Sequence, residues 1–167
     1  MELIVLTLGM HIEKTLRKLA LALMAVAFLG FLDAMYLTAH RFFGVPIQCN
    51  LTHRCDTVLS SSYSEILGVP VVVMGVLFYL TVFFGGYLYL EHKNKKLLAA
   101  VSLLTFGGLL FSIWMTVVQA FILHAFCQYC LLSAASSTAL FLLGLTTLKT
   151  LARISDPSPL PDAAAQE

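Results

Sequence analysis

Phe126-Cys127-Gln128-Tyr129-Cys130, followed without a break by the apolar run Leu131 to Leu148, sets two constraints at once. The run is long enough to enter a membrane as a helix, and the two cysteines stand at its mouth. Cys-x-x-Cys is the spacing of thiol–disulfide oxidoreductases, because two intervening residues allow reversible closure of a small ring. A cysteine at a helix N-terminus also has its thiolate stabilised by the helix dipole. The competing reading is a structural disulfide, or two buried thiols packing as small apolar side chains.

The rest of the chain places this stretch in a bilayer. Of 167 residues, 59% are hydrophobic and 11% charged, and the mean hydropathy is +0.89. Ordinary soluble domains carry about 25% charged residues, so a chain this apolar does not close around a single water-soluble core. The net charge is +1, and no Lys/Arg cluster is interleaved with aromatics, which argues against nucleic acid as a partner. Four apolar segments of roughly 20 residues each can cross the hydrocarbon layer as helices. They run from about Leu19 to Ala39, Pro70 to Leu90, Leu97 to Leu123 and Cys127 to Leu148. Proline at position 70 suits a first helical turn, where its missing N–H costs nothing. The expected fold is all-α, an integral membrane four-helix bundle over residues 19–150. It is flanked by an N-terminal segment, 1–18, and a disordered tail, 151–167, whose end holds three prolines among small and polar residues. The apolar lead Met1 to Met10 has no small-residue cleavage site of a signal peptide, and Met10 is an alternative start.

The connections differ in length and charge. His92-Lys93-Asn94-Lys95-Lys96 is short and basic, and His124-Ala125-Phe126 has no fixed charge. The long connection, 41–69, contains Pro46, Cys49, Cys55 and the polar cluster Ser60 to Ser64. Lys14, Arg17, Lys18, Lys93, Lys95, Lys96, Lys149 and Arg153 flank one side of the four spans; Arg41 and Arg54 flank the other. Lys/Arg-rich loops stay in the cytoplasm, so both termini are expected there, with Cys49, Cys55, Cys127 and Cys130 on the opposite, oxidising side.

Five residues separate Cys49 from Cys55, too loose for a zinc-knuckle spacing and adequate for a disulfide. Two cysteine pairs on one membrane face, one in a long loop and one at a helix mouth, suit a relay. The loop pair exchanges electrons with an outside protein and the mouth pair passes them inward, each step a thiolate attack through a mixed disulfide. The alternative is two static disulfides. A lipid-soluble quinone is the acceptor that such a site can meet. No Gly-rich nucleotide fingerprint, haem-attachment Cys-x-x-Cys-His or set of haem-ligating histidines is present, and no metal or nucleotide is expected. Asp33 is the one acid inside a predicted span, a candidate for proton handling, with interfacial water or a loop cap as the plainer use. Val71, Met74, Gly75 and Phe78 share a helix face at i, i+3, i+4 and i+7, which is ordinary packing by spacing alone. Gln119 and His124 read as interfacial polar groups or quinone donors, and Tyr36, Trp114 and Tyr129 as anchors or packing residues. Gly85-Gly86 and Gly107-Gly108 read as sites of close helix approach.

These features together resemble the vitamin K epoxide reductase family, over about Leu19 to Leu148. The resemblance rests on Cys49-x5-Cys55, on Val58-Leu59-Ser60-Ser61-Ser62-Tyr63-Ser64 with Gly68-Val69-Pro70, and on Cys127-x-x-Cys130 opening the fourth helix. It implies a four-helix transmembrane bundle around a quinone pocket, capped externally by the loop and a short half-helix. It implies that Cys130 lies beside the quinone, that Cys127 resolves it and exchanges with Cys55, and that Cys49 meets the partner's thiol. Ser61 matches the family's serine near a quinone carbonyl, the plainer use being a half-helix cap. The family places its quinone beside the helix face of Val71, Met74 and Phe78. Val71 stands where the animal enzymes have an asparagine, and Ala134 where they have a tyrosine. That departure favours a prokaryotic homologue that reduces a quinone. The few residues after Leu148 leave no room for the fused thioredoxin-like domain of many bacterial members, so a separate thioredoxin-like or DsbA-like protein is the expected partner. The quinone is of ubiquinone, menaquinone or phylloquinone type, and epoxide reduction proper is the alternative. Outside the family stand a DsbB-type oxidase, which carries its Cys-x-x-Cys on the first external loop, and a thiolate metal-binding membrane protein.

Overall fold

The computed structural model describes residues 2–47, 49 and 55–155. Among the described residues there are five α-helices: α1 (Glu2–Phe43), α2 (Cys55–Leu59), α3 (Val71–His92), α4 (Lys95–Val117) and α5 (Gln128–Ser155). Four of them are long and apolar enough to cross a membrane, as Met10–Phe43, Val71–His92, Lys95–Ile122 and Gln128–Ile154. With no water in hydrocarbon to satisfy backbone groups, such sequences fold as helices. This is a multi-pass membrane protein built as an all-α bundle.

Helix α1 packs against α3 and α5, and α4 packs against α5 and α3. The core between them runs from Leu16, Ala20, Leu23 and Ala27 of α1 to Tyr79 and Val82 of α3, Leu98 and Val101 of α4 and Leu140 of α5. Gly85 faces Val101 and Gly86 faces Met24, so small residues do bring α3 close to its neighbours there.

Both outer segments differ from the sequence reading. Residues 1–18 were expected to precede the bundle, but α1 is continuous from Glu2, and the fully buried Leu16 and the adjacent Ile12 join the core. Residues from 151 were expected in a tail, but α5 continues to Ser155 because Leu151 and Ile154 still have the core to pack against. The remaining tail, from 156 on, lies outside the described residues, as do residues 50–54 of the cysteine loop.

The turn between α3 and α4 is tight. Lys93 takes a left-handed φ of 51° and its N–H donates to the Tyr89 carbonyl (2.7 Å). Asn94 then caps α4, accepting from the N–H groups of Lys96 (3.0 Å) and Leu97 (3.4 Å). At the other end of α4 the spiral widens into a π turn, Val118–Ile122.

The short helix of the long loop between α1 and α3 is α2, followed by a 3-10 turn at Ser62–Ser64. A hairpin that the sequence reading does not contain follows, with β1 (Glu65–Ile66) antiparallel to β2 (Val69–Pro70). Its two corner residues, Leu67 (φ 53°) and Gly68 (φ 80°), are both left-handed, the conformation a two-residue hairpin turn requires. Pro70 pairs with Glu65 and caps α3 from outside, rather than sitting in its first turn.

Candidate active site

The two cysteine pairs meet at the end of the bundle where α1 finishes and α5 begins. Cys49 and Cys55 form a disulfide with a Cα–Cα separation of 6.3 Å, while Cys127 and Cys130 are free thiols. Cys55, at the start of α2, and Cys127, just ahead of α5, are buried in one cluster with Val58 and Ala125; Cys49 and Cys130 pack against it. Cys55 and Cys127 therefore share one water-poor nest, although 72 positions of sequence separate them.

The local backbone fixes the inner pair. The Cys127 N–H donates to Gln119 Oε1 (2.9 Å), and the Ala125 N–H donates to the Gln119 main-chain carbonyl (3.1 Å). Gln119 sits in the π turn, which rotates its amide inward, and it is buried. The Cys127 carbonyl accepts from the Leu131 N–H (3.0 Å), opening α5, and the Cys130 N–H points at Cys127 Sγ (3.5 Å). Hydrogen bonding by the Cys130 side chain holds the Cys127 thiol below its ordinary value, against burial and the charge of Asp33, which push it up.

The outer pair is held differently, by polar contacts between the last turns of α1 and the loop. His40 Nδ1 is 2.6 Å from the Val45 carbonyl and Nε2 is 3.3 Å from Asp56 Oδ1, next to Cys55. Arg41 pairs with Glu65 of the hairpin, and the Tyr36 hydroxyl donates to the Pro46 carbonyl at 3.4 Å.

Below the cysteines lies a cavity of about 320 Å³ between α1, α3, α4 and α5. Its walls are mainly apolar, from Ala34 and Leu37 on α1, the Val71, Met74, Gly75 and Phe78 face of α3, and Leu104, Phe111 and Met115 of α4. Cys130 is the cysteine on its wall; Cys127 is not. One thiol thus stands between the disulfide nest and an apolar chamber of the size that takes a small aromatic ligand.

The family model for vitamin K epoxide reductases matches residues 21–145, a stretch that holds all four cysteines and most of all four spans. The chain belongs to the vitamin K epoxide reductase family. Membership makes this multi-pass membrane protein an oxidoreductase. A search of the curated proteins returns no match to it.

Within this vitamin K epoxide reductase family member, the residues singled out from sequence fall in three places. Val71, Met74 and Phe78 line the cavity, and so do Ala134 and both residues of Gly107-Gly108. Gly108 also admits the Phe78 ring, since a Cβ there would overlap it. Asp33 is only 9% exposed and neither carboxylate oxygen has a hydrogen-bond partner; it adjoins Ala34 and precedes Leu37 by one turn, both on the cavity wall. Ser61 is not on that wall. Its hydroxyl donates back to the Val58 carbonyl (2.8 Å), closing the end of α2, and it makes no side-chain cap on the 3-10 turn that follows. His124 is exposed with a left-handed φ of 48°, while the Tyr36 and Tyr129 rings pack at 5.0 Å. Among the described residues no group of three or more His, Cys, Asp or Glu could hold a metal ion.

Other features escaped the sequence reading. Tyr79 is buried on the cavity wall, with its hydroxyl among Ser133, Ser136 and Ser137. The signal was present: three serines at i, i+3 and i+4 in an apolar span mark a face turned into the bundle. His40 and Arg41 carried no such signal, since basic residues at a span's end are ordinary interfacial anchors.

Proposed function

We propose that this protein oxidises the paired thiols of a separate thioredoxin-like or DsbA-like protein and reduces a membrane quinone, supporting disulfide formation outside the cytoplasm. The observation that carries the reading is the single buried cluster joining Cys55 to Cys127, with Cys130 alone opening on the apolar cavity. A partner thiolate attacks the Cys49–Cys55 disulfide at Cys49, and resolution releases the partner's disulfide and leaves both loop thiols reduced. Cys55 then attacks Cys127 of the oxidised inner pair, and Cys49 resolves that mixed disulfide. The pair Cys127–Cys130 now carries two electrons and two protons, the state in which the free thiols and the outer disulfide are found together. Cys130 passes them to the quinone in the cavity, beside Val71, Met74 and Phe78, and Cys127 resolves it by attack on the Cys130 sulfur. A thiol held low, as Cys127 is, supplies the thiolate that such an attack needs. The sum is one partner dithiol plus one quinone giving one disulfide plus one quinol.

In this scheme the cysteines face the external, oxidising side and both termini face the cytoplasm, as the distribution of Lys and Arg supports. Asp33, enclosed without a partner beside the cavity wall, accepts a proton released by the thiols and returns it toward the quinone. Asp33→Asn tests that role: a slower rate with an altered pH profile is expected, and an unchanged profile removes Asp33 from the scheme. The whole reading is tested with purified protein in detergent, dithiothreitol as donor and menadione or a ubiquinone analogue as acceptor. Turnover lost in Cys130→Ser is the expected result. A wild-type protein that reduces no quinone sinks the proposal.

A further inference from the structure

Tyr79 is 1% exposed, and its hydroxyl sits in a concentration of polar groups that burial alone does not require. Its oxygen lies 2.9 Å from Ser133 Oγ, 2.7 Å from Ser136 Oγ and 3.4 Å from Ser137 Oγ. Its O–H also reaches the Ser133 main-chain carbonyl at 3.0 Å, and the Ser136 hydroxyl donates to the same carbonyl at 2.9 Å. One such bond would satisfy a phenol in hydrocarbon. A carbonyl oxygen has two lone pairs; that of Ser133 already accepts the Ser137 N–H within α5, so it takes the Ser136 proton, and Tyr79 donates to Ser136 Oγ. The hydroxyls of Ser133 and Ser137 then hold protons that can turn elsewhere, and both residues line the cavity, as Tyr79 does. The phenol is fixed in place: a Cβ at Gly30 would overlap its ring, so only glycine lets α1 close over it.

The placement relative to the thiol gives the cluster its meaning. Cys130, Ser133 and Ser137 stand at i, i+3 and i+7, one stripe of α5. At 1.5 Å per residue the two hydroxyls lie about 4.5 and 10 Å along the helix from the cysteine. The facing wall, with Phe78, is apolar. A flat ring held on this stripe meets sulfur at one edge and hydroxyl donors at the other.

We infer that the hydroxyls of Ser133 and Ser137, ordered by Tyr79, donate to a carbonyl oxygen of the bound quinone and so present the opposite edge of its ring to Cys130. The inference rests on the quinone reading of the cavity and specifies its ligand class: a quinone with carbonyls on opposite sides of the ring. Tyr79 is a positioning residue in this arrangement, and the two serines are the contacts.

The test uses the full chain in detergent with dithiothreitol as donor and menadione as acceptor, comparing wild type, Tyr79→Phe and the double change Ser133→Ala with Ser137→Ala. Loss of both hydrogen bonds to the ligand in the double variant is expected to raise KM for menadione about 10-fold or more, and loss of their ordering in Tyr79→Phe by less, while kcat stays within about threefold. The infrared carbonyl stretch of bound menadione should move toward its position in free quinone, a change that loosened packing alone does not produce. Threonine at both serine positions should restore KM and band. Unchanged KM with an unchanged carbonyl band in the double variant overturns this inference and leaves the quinone reading standing; so does a fall in kcat alone. If the double variant does not fold, Tyr79→Phe, which removes only an oxygen, decides by the same two readouts. A wild type without quinone turnover fails earlier and takes both readings with it.

Discussion

The two cysteine pairs lie in one cluster and are built on opposite terms. Cys127 and Cys130 open a helix of 28 residues, and Gln119 clamps the Cys127 backbone from the neighbouring helix. Cys49 and Cys55 ride on a loop and a five-residue helix, attached to α1 through side chains such as His40 and Arg41. A rigid pair beside an apolar cavity and a lightly latched pair on a loop are what the proposed relay between a membrane quinone and a protein needs. Exposed ion pairs such as Arg41–Glu65 contribute about 0–1 kcal/mol each, so the latch is cheap to open. A long apolar helix is not.

The largest expected effect tests the rigid pair. Serine at Cys127 or Cys130 should lower quinone reduction by about a thousandfold or more whatever the donor, as loss of a reacting group does. Residual turnover with a small dithiol in either variant would dissolve the distinction between the pairs. Serine at Cys49 or Cys55 sharpens it from the other side: oxidation of a thioredoxin-like protein should stop, while turnover driven by dithiothreitol stays within about threefold. Four variants that behave alike with dithiothreitol would leave no relay.

A smaller effect is expected at the clamp. Gln119→Leu leaves the buried Cys127 N–H without its acceptor, a loss of about 1–3 kcal/mol of stability. Thermal unfolding and dithiothreitol-driven turnover should fall together, and a variant as stable as wild type would mean that the clamp is not what holds the pair. The smallest effect concerns ionisation. Because the Cys130 side chain holds Cys127 low, its thiolate should form below the ordinary thiol range of about 8.5. Cys130→Ala removes the largest cause, so the thiolate absorbance of the remaining thiol should then rise at higher pH than in wild type. A midpoint that stays put or drops would assign the lowering to something other than Cys130.

The sequence carries the bundle plainly, because the bilayer converts each apolar run into a helix and leaves few alternatives. It carries the cavity face of α3 as well, since Val71, Met74 and Phe78 follow the helical period. What it does not carry is set by contacts between distant segments. Leu67 is an unusual residue for a left-handed corner, so the hairpin has no local signature of the Asn-Gly kind. The π turn places Gln119 through one extra residue in a helix whose sequence looks regular. Ser61 shows the converse: a serine after a short helix suits either a ligand contact or a local bond, and only the coordinates of Val58 show which carbonyl it meets. The ends of α1 and α5 are hard to place from sequence because charged residues at 13–18 and 149–153 look like a boundary, although Leu16 and Leu151 between them are buried.

Trp114 is the single tryptophan of the chain. Its ring centroid lies 5.6 Å from that of Phe111, which lines the cavity. Quinones quench indole emission at short range, so the protein carries its own optical gauge of occupancy. Titrating menadione while reading fluorescence would give an affinity for every variant above, including those that no longer turn over, without attaching a label.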